Sequence, residues 1–309
     1  MNDGNCKSFA CYVMTSKGLA FLSGLSGPAL ELVSHVVTAP DRALRCKSYD
    51  AILDFCEEKG IKVFRRGMEP DPKPNSIVVA VSWKWIIDIS EIHLLILHDS
   101  LLPKLRGFNP LVTALISAEE RLGVSLIRGA ESYDSGDIIC QASTVITYPI
   151  KICEAIRKLE TCYRNLAHVF SSWMLVGDIP KGTPQAEVEA TYSVWRDEED
   201  YLIDWSQSAA QISRFINAVG YPYRGAACYL NDVLFRISDA REIADMKIIN
   251  RDSGKVIRTI DGFPVVICGT GLLKIIELED ELGRNALPLR SFRVRFSSAP
   301  SRIDKEITG

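Results

Sequence analysis

Apolar residues along the first part of the chain fall in short runs, Phe9 to Thr15, Val36 to Thr38, Ile61 to Phe64 (broken by Lys62), Ile77 to Val81 and His93 to His98, of which the last is the clearest unbroken one. Runs of this length without polar alternation predict strands buried on both faces of a sheet. Between them, Gly18 to Gly24 begins a segment that crosses back, and Ser48 to Gly60 reads as a helix. In that helix Ser48 is the N-cap, residues 52, 53 and 56 are apolar, and Gly60 lies just past the end. Strand, helix, strand in alternation predicts an α/β fold with a mostly parallel sheet and helices on both faces. No glycine-rich fingerprint follows the first strand, so a dinucleotide-binding version of the fold is poorly supported.

The pattern continues with a helix from Pro110 to Glu120 and strands at Gly123 to Ile127 and Ile138 to Gln141. A long amphipathic helix then covers 150–176, with apolar positions at 150, 152, 156, 159, 162, 166, 169 and 170. Gly177 to Gln185 is rich in turn residues and predicts a domain boundary. The expected organisation is an α/β domain over 1–180, a linker and joining segment over 181–205, and a small β-rich domain over 206–309. Within the last, 206–219 predicts a short helix, 227–236 a hairpin turning at Asn231-Asp232, and 255–260, 265–268 and 272–278 further strands.

Composition narrows the class. The 309 residues are 47% hydrophobic, enough for a substantial core, and no apolar run approaches the length of a membrane span. Met1 to Lys7 lacks the basic start and apolar core of a signal peptide, so a cytoplasmic protein with no membrane partner is expected. Nine cysteines, an odd number without CxxC pairs, predict small core hydrophobes and not a disulfide framework or zinc cluster. The net charge of -3 provides no general attraction to nucleic acid.

Candidate chemistry concentrates after the fifth apolar run, in His98-Asp-Ser-Leu-Leu-Pro-Lys-Leu-Arg-Gly-Phe-Asn-Pro110. Ligands of open α/β sheets bind beyond the carboxyl ends of the strands, where His98 and Asp99 are placed. Arg106 is expected to tie the loop down by hydrogen bonds, and Gly107 to permit a turn that a side chain would hinder. Asn109 either caps the following helix or contacts substrate. Glu131 to Asp137 is an acidic turn, and Ser82 to Asp88 carries two tryptophans and two isoleucines near the same sheet edge. One histidine and two aspartates without a second histidine do not predict a metal site.

His98-x-Ser100-Leu101-Leu102-Pro103-x-x-Arg106-Gly107-x-x-Pro110, followed by Gly123-Val124-Ser125 and Asp134-x-Gly136-Asp137-Ile138, resembles the core of the N10-formyltetrahydrofolate-dependent formyltransferases. The resemblance implies a Rossmann-like catalytic domain followed by a small OB-like β-barrel. The catalytic trio of that family is an Asn and a His two residues apart plus an Asp in the D-x-G motif. Here His98 and Asp134 match, while the Asn position falls on Ile96. By the same resemblance Trp85, Ile86 and Ile87, with Ser132 and Tyr133, would hold the folate, the formyl donor. Asn109, Tyr192, Trp195 and Arg196 would meet the acceptor, although Trp195 could equally be buried between domains.

The segment 191–205, with Ile203-Asp204-Trp205, is similar to the joining segment of sugar-nucleotide formyltransferases and the related lipid A-modifying enzyme. The implied activity is formyl transfer to the amine of a nucleotide-linked amino sugar, in a setting such as lipopolysaccharide biosynthesis. The alternatives are a methionyl-tRNA formyltransferase-like enzyme or a catalytically impaired folate- or nucleotide-binding relative. Binding tRNA takes an extended basic surface, whereas this chain has only Arg42, Arg45 and Lys47 in a short loop and the acidic run Asp197 to Asp200. No nucleic-acid partner is therefore expected. Members of the family commonly form homodimers. With Ile96 unable to donate, an oxyanion donor would have to come from Asn109, Ser125 or a backbone amide.

Overall fold

A computed structural model describes residues 8–42, 44–45, 47–291 and 293–300; the Met1 to Lys7 stretch, Cys6 and Cys46 lie outside them. The chain divides into two compact units. The first takes residues up to Ala114, Glu119–Thr147 and Glu154–Trp195, and the second takes Leu115–Ala118, Tyr148–Cys153 and Arg196 onward. The expected joining segment is thus shared, with residues through Trp195 in the first unit.

The elements in chain order are β1 (Phe9–Val13), α1 (Thr15–Gly24), α2 (Gly27–Leu30), β2 (Val33–Thr38), α3 (Ser48–Glu58), β3 (Val63–Arg65), β4 (Ile77–Val81) and β5 (His93–His98). They continue with β6 (Arg106–Gly107), α4 (Pro110–Ile116), β7 (Arg121–Arg128), β8 (Ile138–Val145), α5 (Ile152–Val176) and β9 (Tyr192–Ser193). Seven of these strands make one sheet in the order β3-β2-β1-β4-β5-β7-β8. The pairings from β3 to β5 are parallel, as the unbroken apolar runs predict. β7 runs antiparallel to both of its neighbours, so β8 again runs in the direction of β5, and His98 lies opposite Ser125 in the β5–β7 pair. The connection 129–137 between β7 and β8 is too short for the crossover a parallel return needs.

One face of the sheet is covered by helices. Phe170 of α5 meets Phe9 of β1 edge-on at 5.1 Å, and Phe21 of α1 lies against the same ring at 5.9 Å. The other face departs from expectation. Ala10, Tyr12, Val37, Val78, Ala80 and Leu94 form an apolar cluster there, and what covers it is the β4–β5 connection through Trp83, Ile87, Ile89 and Ile92. Residues 82–92 contain no helix, because their apolar positions lack helical spacing and Asp88 accepts a local turn bond from Ser90 N at 2.9 Å. The site end of the sheet is therefore roofed by a loop.

The second unit contains α6 (Ala209–Ala218), β10 (Ala226–Leu230), β11 (Val233–Ile243), β12 (Val256–Ile260), β13 (Phe263–Ile267), β14 (Leu272–Asp280) and β15 (Phe296–Ser297). Its antiparallel sheet runs β12-β13-β14-β11-β10-β15, and a bridge between Lys255 and Arg295 draws the two edges together into a curled half-barrel. Ser208 and Gln211 close a capping box at the start of α6. The β10–β11 hairpin turns at Asn231 and Asp232, both with positive φ, as the two-residue turn chemistry requires. No helix of the described residues is long and apolar enough to cross a membrane.

Candidate active site

His98 closes β5 and is 7% exposed, more enclosed than a residue merely facing a crevice. Its Nε2 lies 2.8 Å from the carbonyl oxygen of Leu105, so in the neutral ring this nitrogen carries the proton. The other nitrogen, Nδ1, faces Asp134 Oδ1 at 3.4 Å. The second oxygen of Asp134 accepts the backbone N–H of Gly107 at 2.9 Å, which fixes the carboxylate plane. Nδ1 is thus the nitrogen placed to receive a proton, with the Asp134 carboxylate beside it.

Backbone constraints explain the glycines around the pair. Asp134 sits at φ 51°, and a Cβ on Gly136 would fall 1.8 Å from the carbonyl oxygen of Arg128. Only glycine lets the turn close that tightly. Gly107, at φ 94°, would bring a Cβ to 2.6 Å from Ser193 O, where β6 and β9 pair side by side.

A strap formed by residues 179–193 locks this turn, and nothing in the sequence pattern marks it. Gln185 Nε2 donates to the carbonyl oxygens of Asp134 and Gly136, both at 2.7 Å. Arg106, 2% exposed, donates through Nε to Gln185 Oε1 at 3.0 Å and through both terminal nitrogens to Glu187 at 2.8 and 3.0 Å. Arg106 thus ties the loop down, as expected, but does so through a glutamine that holds the Asp134 turn. Further back, Arg128 grips the carbonyls of Ile179, Pro180 and Lys181. Gln185→Leu is expected to lower turnover by up to about a hundredfold through misplacement of Asp134. Steady-state rates with an unchanged far-ultraviolet spectrum are the check, and an undiminished rate would remove Gln185 from the positioning chain.

The Arg106 guanidinium, through its hydrogen bonds, holds the Glu187 carboxyl below its ordinary range. A depressed carboxylate stabilises the folded state above its unfolded pKa and loses that contribution as pH falls through the folded value. Hydrogen-exchange protection of residues 185–193, taken relative to the intrinsic amide rate at each pH, is therefore expected to fall once the pH drops below the usual glutamate range. Equal protection at neutral and acid pH would show that the clamp does not order the strap.

Two more polar groups hold the loop after His98. Ser125 is fully buried; its hydroxyl donates to Ser100 O at 2.6 Å and accepts from Leu102 N and Gln141 Nε2 at 3.0 and 2.8 Å. Its proton is committed to the loop, so Ser125 does not supply the donor that Ile96 lacks. On the other side Asp99 accepts from both Lys17 of α1 and Tyr163 of α5. Burial first, and then the Asp99 charge, push the Tyr163 hydroxyl well above its ordinary range.

The remaining expected site residues separate into groups. Trp85, Ile86 and Ile87 line a groove of about 560 Å³ with Tyr12, Trp83 and Arg66, and Arg66 stacks 4.1 Å over the Trp85 ring. Ser132 and Tyr133 do not line that groove; they lie in the Asp134 turn, where Tyr133, 65% exposed, stands 6.1 Å from the Phe108 ring. Asn109 has φ 51° and its side chain caps nothing among the described residues, leaving its amide open to a ligand. Tyr192 and Trp195 are exposed, and the Tyr192 hydroxyl accepts a bond from Arg106 at 3.4 Å. Arg196 begins the second unit with its Nε buried and unpaired. Ile96 packs on the apolar Ala80, Leu94 and Trp83 cluster.

The family model described as "Formyl transferase" matches residues 77–168, and the one described as "Formyl transferase, C-terminal domain" matches residues 196–295. A relative from Gluconobacter oxydans, a methionyl-tRNA formyltransferase, is 28% identical over 211 residues, covering 68% of this chain and 65% of the relative, just under two thirds of its length. Among solved structures, a sugar 3N-formyl transferase, WlaRD, superposes with TM-score 0.65 at 16% identity, covering 88% of this chain and 98% of that one. The N-formyltransferase from Helicobacter canadensis gives TM-score 0.62 at 14% identity over 87% and 98% of the two chains. HypX from Aquifex aeolicus gives 0.59 at 17% identity, but this chain spans only 45% of it.

Proposed function

Because this chain belongs to the formyl transferase superfamily, we propose that it is an N-formyltransferase that moves the formyl group of N10-formyltetrahydrofolate to the amine of a nucleotide-linked amino sugar. The observation that carries the reading is the His98–Asp134 pair at the carboxyl end of β5, held by Gly107 N–H on one side and Leu105 O on the other. In this reaction the acceptor nitrogen bonds to the formyl carbon, the bond from that carbon to N10 breaks, one proton leaves the amine and one is delivered to N10. His98 Nδ1 takes the proton from the amine, and Asp134 stabilises the imidazolium until the proton is passed on. The groove of Trp85, Ile86 and Ile87 offers apolar walls and a volume suited to a flat ring, while Ser132 and Tyr133, in the Asp134 turn, are candidates to meet the part of the folate that lies beyond it. Asn109, with its unengaged amide, is the side chain available for the oxyanion.

The sugar acceptor rests on charge: a net charge of -3 and the acidic run 197–200 oppose an RNA surface. Tyr192 and Trp195 are exposed aromatics available to stack a nucleobase. Incubation with N10-formyltetrahydrofolate and a panel of dTDP- and UDP-linked amino sugars, read by mass spectrometry, is expected to yield an N-formyl product. Robust formylation of methionyl-tRNA instead would end the sugar assignment.

A second reading, a folate-binding relative without turnover, is favoured by one observation, the apolar packing of Ile96 where the resemblance places the family's donor. Ile96→Asn is expected to destabilise the fold by about 1 to 3 kcal/mol, since an amide there is set, partly buried, against an apolar cluster, and to bring no gain in rate. A rate increase of two to three orders of magnitude, as a restored oxyanion donor can give, would show that the site had merely lost its Asn.

A further inference from the structure

The Arg66–Trp85 stack lines two cavities at once, the aromatic groove and a second one of about 530 Å³. The second cavity lies where β1 to β4 end. Met14 follows β1, Thr38 closes β2, Arg65 closes β3 and Lys84 follows β4, and all four line it. Ligands of open sheets bind at this edge. Four cations face the space, Arg42, Arg65, Arg66 and Lys84, against one carboxylate, Asp41, which pairs with Lys84 at 2.6 Å. Among the described residues no carboxylate engages Arg42 or Arg65, and both are exposed. In a chain of net charge -3 such an excess of positive charge is local to this cavity.

A second observation is independent of charge. Thr38 is 0% exposed, and its hydroxyl is buried with no hydrogen-bond partner while its residue lines the cavity. Buried hydroxyls are nearly always satisfied, so one left open at a cationic pocket awaits an acceptor from outside the chain. Guanidinium forks match phosphoryl oxygens in pairs, and the cavity exceeds what a single phosphate fills.

We propose that this cavity holds the diphosphate of the acceptor, with Arg42, Arg65 and Lys84 on its phosphoryl oxygens and the Thr38 hydroxyl donating to one of them. The assignment of that diphosphate to a nucleotide-linked amino sugar rests on the function proposed above. The cavity's preference for a diphosphate does not. The Arg66–Trp85 stack then forms the wall between the diphosphate and the aromatic groove.

Titration calorimetry of the full chain at low salt, with inorganic pyrophosphate, UDP and dTDP in turn, tests the site. All three are expected to bind in competition with one another. The Arg42→Ala, Arg65→Ala double variant should weaken each by about tenfold or more per guanidinium, with an unchanged melting temperature because neither side chain has a protein partner. Thr38→Val should weaken binding while holding or raising the melting temperature, since it removes a hydroxyl the empty protein leaves unsatisfied. The proposal is overturned if the wild-type chain ignores pyrophosphate at millimolar concentration or if the double variant binds as well as wild type. An RNA hairpin bound more tightly than the diphosphates, with affinity falling steeply in salt, would also overturn it. Diphosphate binding that persists in a chain unable to formylate any amino sugar would refute the proposed function and leave this site standing.

Discussion

His98→Asn is expected to lower formyl transfer by about two to four orders of magnitude, the contribution of a positioned proton-handling group. The asparagine side chain has no nitrogen that titrates between amine and water, and it is too short to keep both the Leu105 carbonyl and the Asp134 carboxylate. Because His98 is buried and bonded to Leu105 O, the variant also leaves a backbone acceptor short of its donor, at about 1 to 3 kcal/mol. A modest fall in melting temperature therefore accompanies the rate loss, and folate affinity measured separately should change little. Asp134→Asn keeps an acceptor for Gly107 N–H but removes the charge beside Nδ1. If the two act as one unit, the double variant is hardly slower than either single one. Full activity in His98→Asn would end the mechanism.

Asp99→Ala is expected to cost about 3 to 5 kcal/mol of stability, the typical result of deleting one side of a buried ion pair. Lys17 is 8% exposed and Tyr163 fully buried, and the Asp99 carboxylate receives a bond from each. Its loss unties α1 and α5 from the first residue of the loop that follows His98. Asp99→Asn keeps an acceptor for Tyr163 and should fall between wild type and Asp99→Ala. Urea unfolding with an unchanged slope gives the comparison. Both variants within about 0.5 kcal/mol of wild type would show that the cluster contributes only what an exposed pair does.

Local pattern determined a good deal by itself. The unbroken apolar runs located β1, β4 and β5, the amphipathic segment before Gly60 located α3, although Lys47 and not Ser48 stands at its N-cap, and the Asn231-Asp232 pair located the hairpin turn. Each of these depends on neighbours within a few residues, which periodicity and turn chemistry encode. The motif around His98 and the spacing to Asp134 were also legible, because the residue that ends a central strand is placed by the strand. Sequence pattern did not reveal what holds that pair in position. Gln185 reaches Asp134 and Gly136 across about fifty residues, Arg106 reaches Glu187 across 81, and Lys17 reaches Asp99 across 82. The helix expected on the second sheet face was likewise replaced by the Trp83–Ile92 loop, which packs by side-chain burial without helical spacing. Thr38 reads as one more strand residue until its hydroxyl is found unpaired beside Arg42 and Arg65. Local spacing determines which residues share a strand or a helix face; which distant side chains satisfy a buried charge or hydroxyl depends on how those elements pack, and only the tertiary structure decided that.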